Sequence, residues 1–365
     1  MLRLFSLCLL LPAWVSAQAT PQTIQLQSRV APGATALKRR ALSPANIPLA
    51  DYFMGTDLQW FGNISVGTPP QTVSMVFDTG SATLEFASTL CGAPCSNQVQ
   101  FDPTKSSTFV DGGHEQTLTF STGAGVDPVV GDNWQLTLRN ATETVSIGGL
   151  TVVGTEVFLV TNQTAPFAPD PFSGIQGLSP LVESFFGDLI HQGLPSVGHA
   201  EMTVGGIDHS KFNGPLTYAS LPAPGVNDFW SLISPTLSVN GKTNSLLNTT
   251  TEIIFDSGTS NVLFPTDVTE SIYALISPDI LPHASEPGTY GIACDRIPKL
   301  PAVIAIQFTA QDGSPFELTI PSIELSTCQT LINAFDGLSL VGGSLLKHYY
   351  SVWDVGGQRI GFAAV

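Results

Sequence analysis

Apolar and polar residues alternate in short runs along most of this chain, and clusters of Gly, Pro, Asn and Ser separate the runs. Alternation with period two sets one row of side chains against a core and the next in solvent, so each run predicts a strand. The runs are 71–77, 116–121, 145–153, 157–161, 201–204, 251–255, 301–308, 316–324 and 358–363. Two stretches are the better helix candidates, Leu181 to Gln192 and Thr266 to Ile276, the second with Asp267 and Glu270 near its start. With 34 Gly and 27 Pro in 365 residues, the balance is against a helical bundle and for an all-β fold.

One phrase in this pattern occurs twice. Val-Phe-Asp-Thr-Gly-Ser at 76–81 returns as Ile-Phe-Asp-Ser-Gly-Thr-Ser at 254–260, with the two Asp residues 178 positions apart. Each copy ends an apolar run with Asp78 or Asp256, then a hydroxyl residue, a glycine and another hydroxyl residue. The repetition points to a duplicated unit whose halves each lend one carboxyl to a shared site. Two carboxyls held close cannot both ionise, so one gives up its proton readily while the other keeps it. The charged one takes a proton from water as the neutral one donates to a carbonyl oxygen, which activates water against an amide without a metal or covalent intermediate. Gly80 and Gly258 permit the tight backbone turns, and Thr79, Ser81, Ser257 and Thr259 offer hydroxyl hydrogen bonds to the carboxylates. The repeat extends further: Gly174-Ile-Gln-Gly-Leu178 follows the first Asp, and Leu340-Val-Gly-Gly-Ser344 the second. The six histidines form no constellation, and neither Gly-x-Ser-x-Gly nor His-Glu-x-x-His is present.

Residues 1–17 read as a secretory signal, with Arg3, an apolar core from Leu4 to Val15 and a cut after Ala17. That run is too short to span a membrane, and nothing later suggests an anchor. Residues 18–40 contain no acidic residue and end in Lys38-Arg39-Arg40, which reads as a basic processing site closing a short pro-segment, or as an ordinary basic linker. The chain holds 13 basic and 29 acidic residues; removing 1–40 takes five of the former and none of the latter, leaving 8 − 29 = −21. Such an excess relaxes as carboxyls protonate, which suits an acidic workplace and argues against nucleic acid and anionic membranes as partners. The pro-segment, at +4, is expected to inhibit by lying against an acidic cleft. Once Cys8 leaves with the signal, Cys91, Cys95, Cys294 and Cys328 remain. In a secreted chain they read as disulfides, with three connectivities open; a metal site, the rival reading, has no His at ligand spacing. Sequons stand at Asn63, Asn140, Asn162 and Asn248. Asn63, in a strand-like run, is expected to be bare, and the other three are glycosylation candidates. A monomer acting outside the cell, without cofactor, is the expectation.

From about Gln59 to Val365 the chain resembles the pepsin-like aspartic proteases, in their secreted, fungal-type form with a short basic pro-segment. Besides the two Asp phrases, the likeness rests on Trp60-Phe-Gly-Asn-Ile-Ser-Val-Gly-Thr-Pro-Pro-Gln71, Gln100-Phe-Asp-Pro-Thr-Lys-Ser-Ser-Thr-Phe109, Gly205-Gly-Ile-Asp208 and Tyr349-Tyr-Ser-Val-Trp-Asp-Val-Gly-Gly-Gln-Arg-Ile-Gly-Phe362. The resemblance implies a bilobal all-β fold, with an N-terminal lobe over 41–222, a C-terminal lobe over 223–365 and polypeptide substrates bound between them. It implies that Asp78 and Asp256 share a catalytic water, that Thr79 and Ser257 brace the two loops, and that Ser81 and Thr259 support the outer carboxylate oxygens. It favours the pairings Cys91–Cys95 and Cys294–Cys328. The flap over the cleft falls at Thr119 to Gly125, which brings Phe120, Ser121, Thr122 and Gly123 to the substrate, while Val76 and Ile254 make an apolar subsite.

The chain departs from that family at three places. Phe120 stands where a flap Tyr is usual, and no Tyr occurs between Tyr52 and Tyr218. Glu85 stands at the place of the Trp that such a Tyr meets, and is expected to point to solvent. Gly343 stands where many relatives have Asp. Some members of this fold bind proteins without cutting them, so a binding protein with weak or no catalysis is the alternative to an acid-active endopeptidase preferring hydrophobic residues.

Overall fold

The computed structural model describes residues 45–51, 59–120, 131–181, 185, 187–188, 201–204, 207–222, 229–284, 286–321 and 330–365. The segment from Leu42 to Val365 forms one compact unit, and its described residues are mostly strands.

The first half is built on an eight-stranded sheet. Its labelled strands are β1 (Trp60–Val66), β2 (Gln71–Asp78), β3 (Leu84–Ala87), β4 (Val110–Thr119), β5 (Gln135–Ile147), β6 (Leu150–Gln163) and β7 (Gly174–Gly177). After the short strand Ala50–Asp51 the order across the sheet is β1-β2-β7-β3-β6-β5-β4. In the second half β8 (Ser231–Ser234), β9 (Thr251–Phe255), β10 (Val262–Phe264), β11 (Ile332–Ala334) and β12 (Leu340–Val341) form a sheet in the order β8-β9-β12-β10-β11.

The sequence repeat returns here as topology. β2, ending at Asp78, runs parallel to β7, which is antiparallel to β3. β9, leading into Asp256, runs parallel to β12, which is antiparallel to β10. Each half thus closes its own loop against its own apolar-Gly strand. One apolar cluster, centred on residues such as Trp230, Phe255, Phe264 and Phe308, serves the second half. Two others serve the first, on opposite faces of its sheet. Met75, Phe77, Leu84 and Phe86 belong to one, and Ala87, Trp134, Leu136 and Val160 to the other.

Where local pattern and tertiary pairing agree, the predicted elements stand. The strands over 71–77, 201–204 and 251–255 and the helix α1 (Thr266–Ile276) are present at or near their predicted bounds. In α1 the buried Thr269, Ile272 and Tyr273 recur at three- and one-residue steps that set one face inward. Its first amide is capped from a distance, Thr266 N donating to Asp336 Oδ1 at 2.9 Å. The run 145–153 is not one strand but the turn of the β5–β6 hairpin. Ile147 pairs with Leu150 across Gly148 and Gly149, whose φ values of 58° and 83° suit a two-residue turn that only residues tolerant of positive φ can form. Of the predicted helix 181–192, positions 185, 187 and 188 are helical, Leu181 is not, and the others lie outside the described residues. No described helix is long and apolar enough to cross a membrane.

Candidate active site

β2 and β9 deliver Asp78 and Asp256 from opposite halves of the molecule, and both are buried. Their loops are cross-tied with two-fold regularity. Thr79 Oγ1 donates to the carbonyl of Phe255 (3.0 Å) and accepts from Ser257 N (2.8 Å). Ser257 Oγ donates to the carbonyl of Phe77 (2.7 Å) and accepts from Thr79 N (3.1 Å). Four hydrogen bonds between groups 176 to 180 residues apart therefore fix one carboxyl relative to the other. Thr79 and Ser257 are where the sequence reading put them, and they brace loop against loop.

The glycines do something other than turn the chain. Neither Gly80 nor Gly258 has positive φ. A Cβ on Gly80 would stand 2.5 Å from Asp256 Cγ, and one on Gly258 would stand 2.5 Å from Asp78 Cγ. Each carboxyl is seated against the glycine of the other loop, so close approach is what excludes a side chain. Each carboxylate also accepts from the amide of its own loop glycine, Gly80 N to Asp78 Oδ1 and Gly258 N to Asp256 Oδ1, both at 2.8 Å.

The outer hydroxyls differ. Thr259 Oγ1 donates to Asp256 Oδ2 at 2.5 Å. Ser81 lies beside Asp78, but its buried Oγ has no partner of hydrogen-bonding geometry among the described residues. Asp78 is held well above the usual carboxylate range by burial and by the charge and hydrogen bond of Asp256, against which Ser81 and the Gly80 amide act only partly. Burial and its partner's charge thus favour the protonated form of Asp78.

A cavity opens beside the dyad, walled by Val76, Phe120, Trp134, Phe167, Phe172 and Ile175, with Gln59, Asp170, Gly258 and Thr259 completing the lining. Val76 is part of this wall as expected; Ile254 is not. Phe120 meets Phe167 edge-on at 5.4 Å, and Trp134 meets the same ring at 4.8 Å. Phe120 thus lines the site, while Ser121, Thr122 and Gly123 lie outside the described residues.

Glu85 does not point to solvent: it is 0% exposed. The cause is strand alternation. Leu84 and Phe86 enter one core cluster, Ala87 the other, and Glu85 shares the face of Ala87. Burial pushes its carboxyl up to about 7, an effect that the nearby Thr83 hydroxyl and its own amide offset only in part. Neither of its oxygens has a partner of hydrogen-bonding geometry among the described residues.

Sequence reasoning gave no role to Gln59, Trp134, Phe167 or Asp170. Gln59 Nε2 donates to Gly258 O at 2.8 Å, and Trp230 Nε1 donates to Leu178 O at 2.7 Å, so both tie one half to the other. None of these residues lies in a repeated phrase, so no repetition singles them out. Cys91 and Cys95 form a disulfide with a Cα separation of 5.7 Å, while the second expected bridge involves Cys328, outside the described residues. Asn162 and Asn248 are exposed; Asn140 is half-buried in β5, its Oδ1 accepting from His114 N at 3.0 Å.

The family model for eukaryotic aspartyl proteases matches residues 59–365. Rhizopuspepsin-1 of Rhizopus niveus is 28% identical over 333 residues, 85% of this chain and 79% of that protein. Rhizopuspepsin-3 of the same organism is 30% identical over 319 residues, 81% of this chain and 72% of its own. Pepsin A of Rhinolophus ferrumequinum is 28% identical over 363 residues, covering 92% and 87% respectively.

Proposed function

Because this chain belongs to the eukaryotic aspartyl protease family and is an aspartic-type endopeptidase, we propose that it is secreted, matures by loss of residues 1–40 and cuts polypeptides in acid. The observation that carries the reading is the crossed dyad, two buried carboxyls hydrogen-bonded to each other and each seated on the other loop's glycine. Asp78, which holds the proton, donates to the carbonyl oxygen of the scissile amide. Asp256 accepts a proton from the attacking water while Thr259 and the Gly258 amide hold its carboxylate in place. The cross-ties through Thr79 and Ser257 keep the two carboxyls in register as the charge moves between them. Val76, Ile175, Phe172 and the aromatic rings favour large hydrophobic residues around the cleaved bond.

Secretion is supported by the pattern over residues 1–17, and work in acid by the mature charge of −21. The enzyme acts as a monomer, without a cofactor, and its +4 pro-segment restrains it until cut after Arg40. The lobe division is placed at 222/223. Cleavage of a denatured protein from acidic to neutral pH, with Asp78→Asn alongside, tests the reading. Activity that rises in acid and falls by at least about 10³-fold in the variant is the expected result. No cleavage by a folded, processed sample at any pH would leave a binding protein on this fold.

A further inference from the structure

The part of the cavity wall that carries Phe167, Asp170 and Phe172 lies outside the strands. It belongs to the connection between β6, which ends at Gln163, and β7, which starts at Gly174. Strand backbone ties down its two ends, Thr164 N donating to Gln135 O at 3.1 Å and Ser173 N to Ser74 O at 2.6 Å. A connection of this kind has no ladder along its length, so the groups that meet its interior decide how firmly its side chains stand.

Two side-chain amides from the segment after Cys95 meet that interior. Gln98 Nε2 donates to Phe167 O at 2.8 Å and stands 3.3 Å from Asp170 O and 3.4 Å from Ala168 O. Gln98 Oε1 accepts from Gln163 Nε2 at 3.0 Å, and Asn97 Nδ2 donates to Ala168 O at 2.9 Å. Gln98 is 9% exposed and does not itself line the cavity. A buried amide is costly unless both of its ends are met, and here both are. Its own segment is anchored in turn. The Cys91–Cys95 disulfide closes it, Gln98 N donates to Cys95 O at 3.1 Å, and Gln163 Nε2 reaches Pro94 O at 2.9 Å. Both cysteines share one apolar cluster with Phe167 and Trp134.

We propose that Gln98 is a positioning residue for substrate selection: by clamping the turn at Phe167–Asp170 it fixes how far the cavity wall stands from the dyad. The proposal rests on the proteolytic reading and adds to it a residue that touches neither substrate nor carboxyls. Phe167 meets Trp134 and Phe120 edge-on, so a shift of its backbone moves the whole aromatic corner. A methionine at position 98 would fill the same length but offer nothing to the three carbonyls, which would then turn towards water and draw Phe167 with them. A glutamic acid that stays protonated would keep one O–H for Phe167 O and a carbonyl for Gln163 Nε2.

The test uses matched uncleavable hydroxyethylene peptides carrying Phe or Ala at each of the two positions flanking the isostere, with affinities taken by calorimetry at pH 4 on the purified protein. At one of the two positions the wild type binds Phe at least about tenfold more tightly than Ala. Gln98→Met lowers that ratio to about threefold or less, with the loss falling on the Phe peptide, whereas a general loss of structure would weaken both peptides alike. Gln98→Glu, kept neutral at pH 4 by burial, restores the ratio to within about twofold of wild type. Gln163→Met, which frees the other end of the Gln98 amide, shifts the ratio in the same direction and serves if Gln98→Met does not fold. A wild-type ratio near one at both positions overturns the proposal. So does a ratio unchanged in the folded Met variants, or one that Gln98→Glu fails to restore. Cleavage of a denatured protein by the same sample is read separately. A ratio that depends on Gln98 without cleavage keeps the clamp and sinks the protease, and cleavage with a ratio indifferent to Gln98 does the reverse.

Discussion

The two outer hydroxyls of the dyad look equivalent in sequence and are not equivalent in space. Thr259 donates to Asp256 at 2.5 Å, whereas the Ser81 Oγ closes no such bond with Asp78. A hydrogen bond to a charged carboxylate contributes about 1.5–3 kcal/mol, and the looser Ser81 contact, which only partly offsets the rise of the Asp78 carboxyl, contributes less. Thr259→Val is therefore expected to lower kcat by about 10- to 100-fold with little change in KM, and Ser81→Ala by less than about threefold. Steady-state kinetics on one peptide substrate checks both. At this scale the sequence was most legible where chemistry repeats. Asp78, Asp256, Thr79 and Ser257 could be read because two copies of one phrase state the same requirement. Glu85 and Trp134 could not, because no second copy exists and the side a residue faces depends on strand pairing.

At the scale of elements, strong local signals carried through and weak ones yielded to pairing. Thr266–Ile276 is a helix because its apolar positions recur at helical spacing and Pro265 precedes it. Alternation across 145–153 changes phase at Gly148 and Gly149, with apolar positions at 145 and 147 and then at 150 and 152, where their positive φ values turn the chain. The same pairing decides where a glycan can be attached. Asn140 lies within β5, and a Cβ on Gly112 would stand 2.8 Å from its Nδ2, so the amide that would carry the sugar is covered by the neighbouring strand. Asn162 and Asn248 are open to solvent. Peptide mapping of the protein by mass spectrometry is expected to find glycan at Asn162 and Asn248 and a bare Asn140.

For the whole molecule, pH acts through groups whose protonation differs between folded and unfolded chains. Glu85 has an ordinary value of 4.5, which burial moves up to about 7. Below pH 4.5 it is protonated in both states and favours neither. From 4.5 to 7 the unfolded chain loses that proton while the folded protein keeps it, so stability falls as pH rises, by about 3 kcal/mol when the folded group ionises. The chain's net charge of −16 pushes the same way. Urea titrations of wild type and Glu85→Gln at pH 4.5 and pH 7.5 should show the wild type losing about 3 kcal/mol more than the variant between the two. An equal loss in both would mean that Glu85 does not set the decline. The acidity read in the composition thus has a located counterpart inside the first half, one that net charge alone did not disclose.

The seating of each carboxyl on the opposite loop's glycine bears on descent. A chain that duplicates one half-site and joins the copies inherits a constraint between them: whatever widens one loop collides with the acid contributed by the other. The two phrases cannot drift apart at separate rates. Among descendants of such a chain, changes at position 80 should travel with changes at 256, and changes at 258 with changes at 78, across nearly half its length, while the strands that carry them diverge freely.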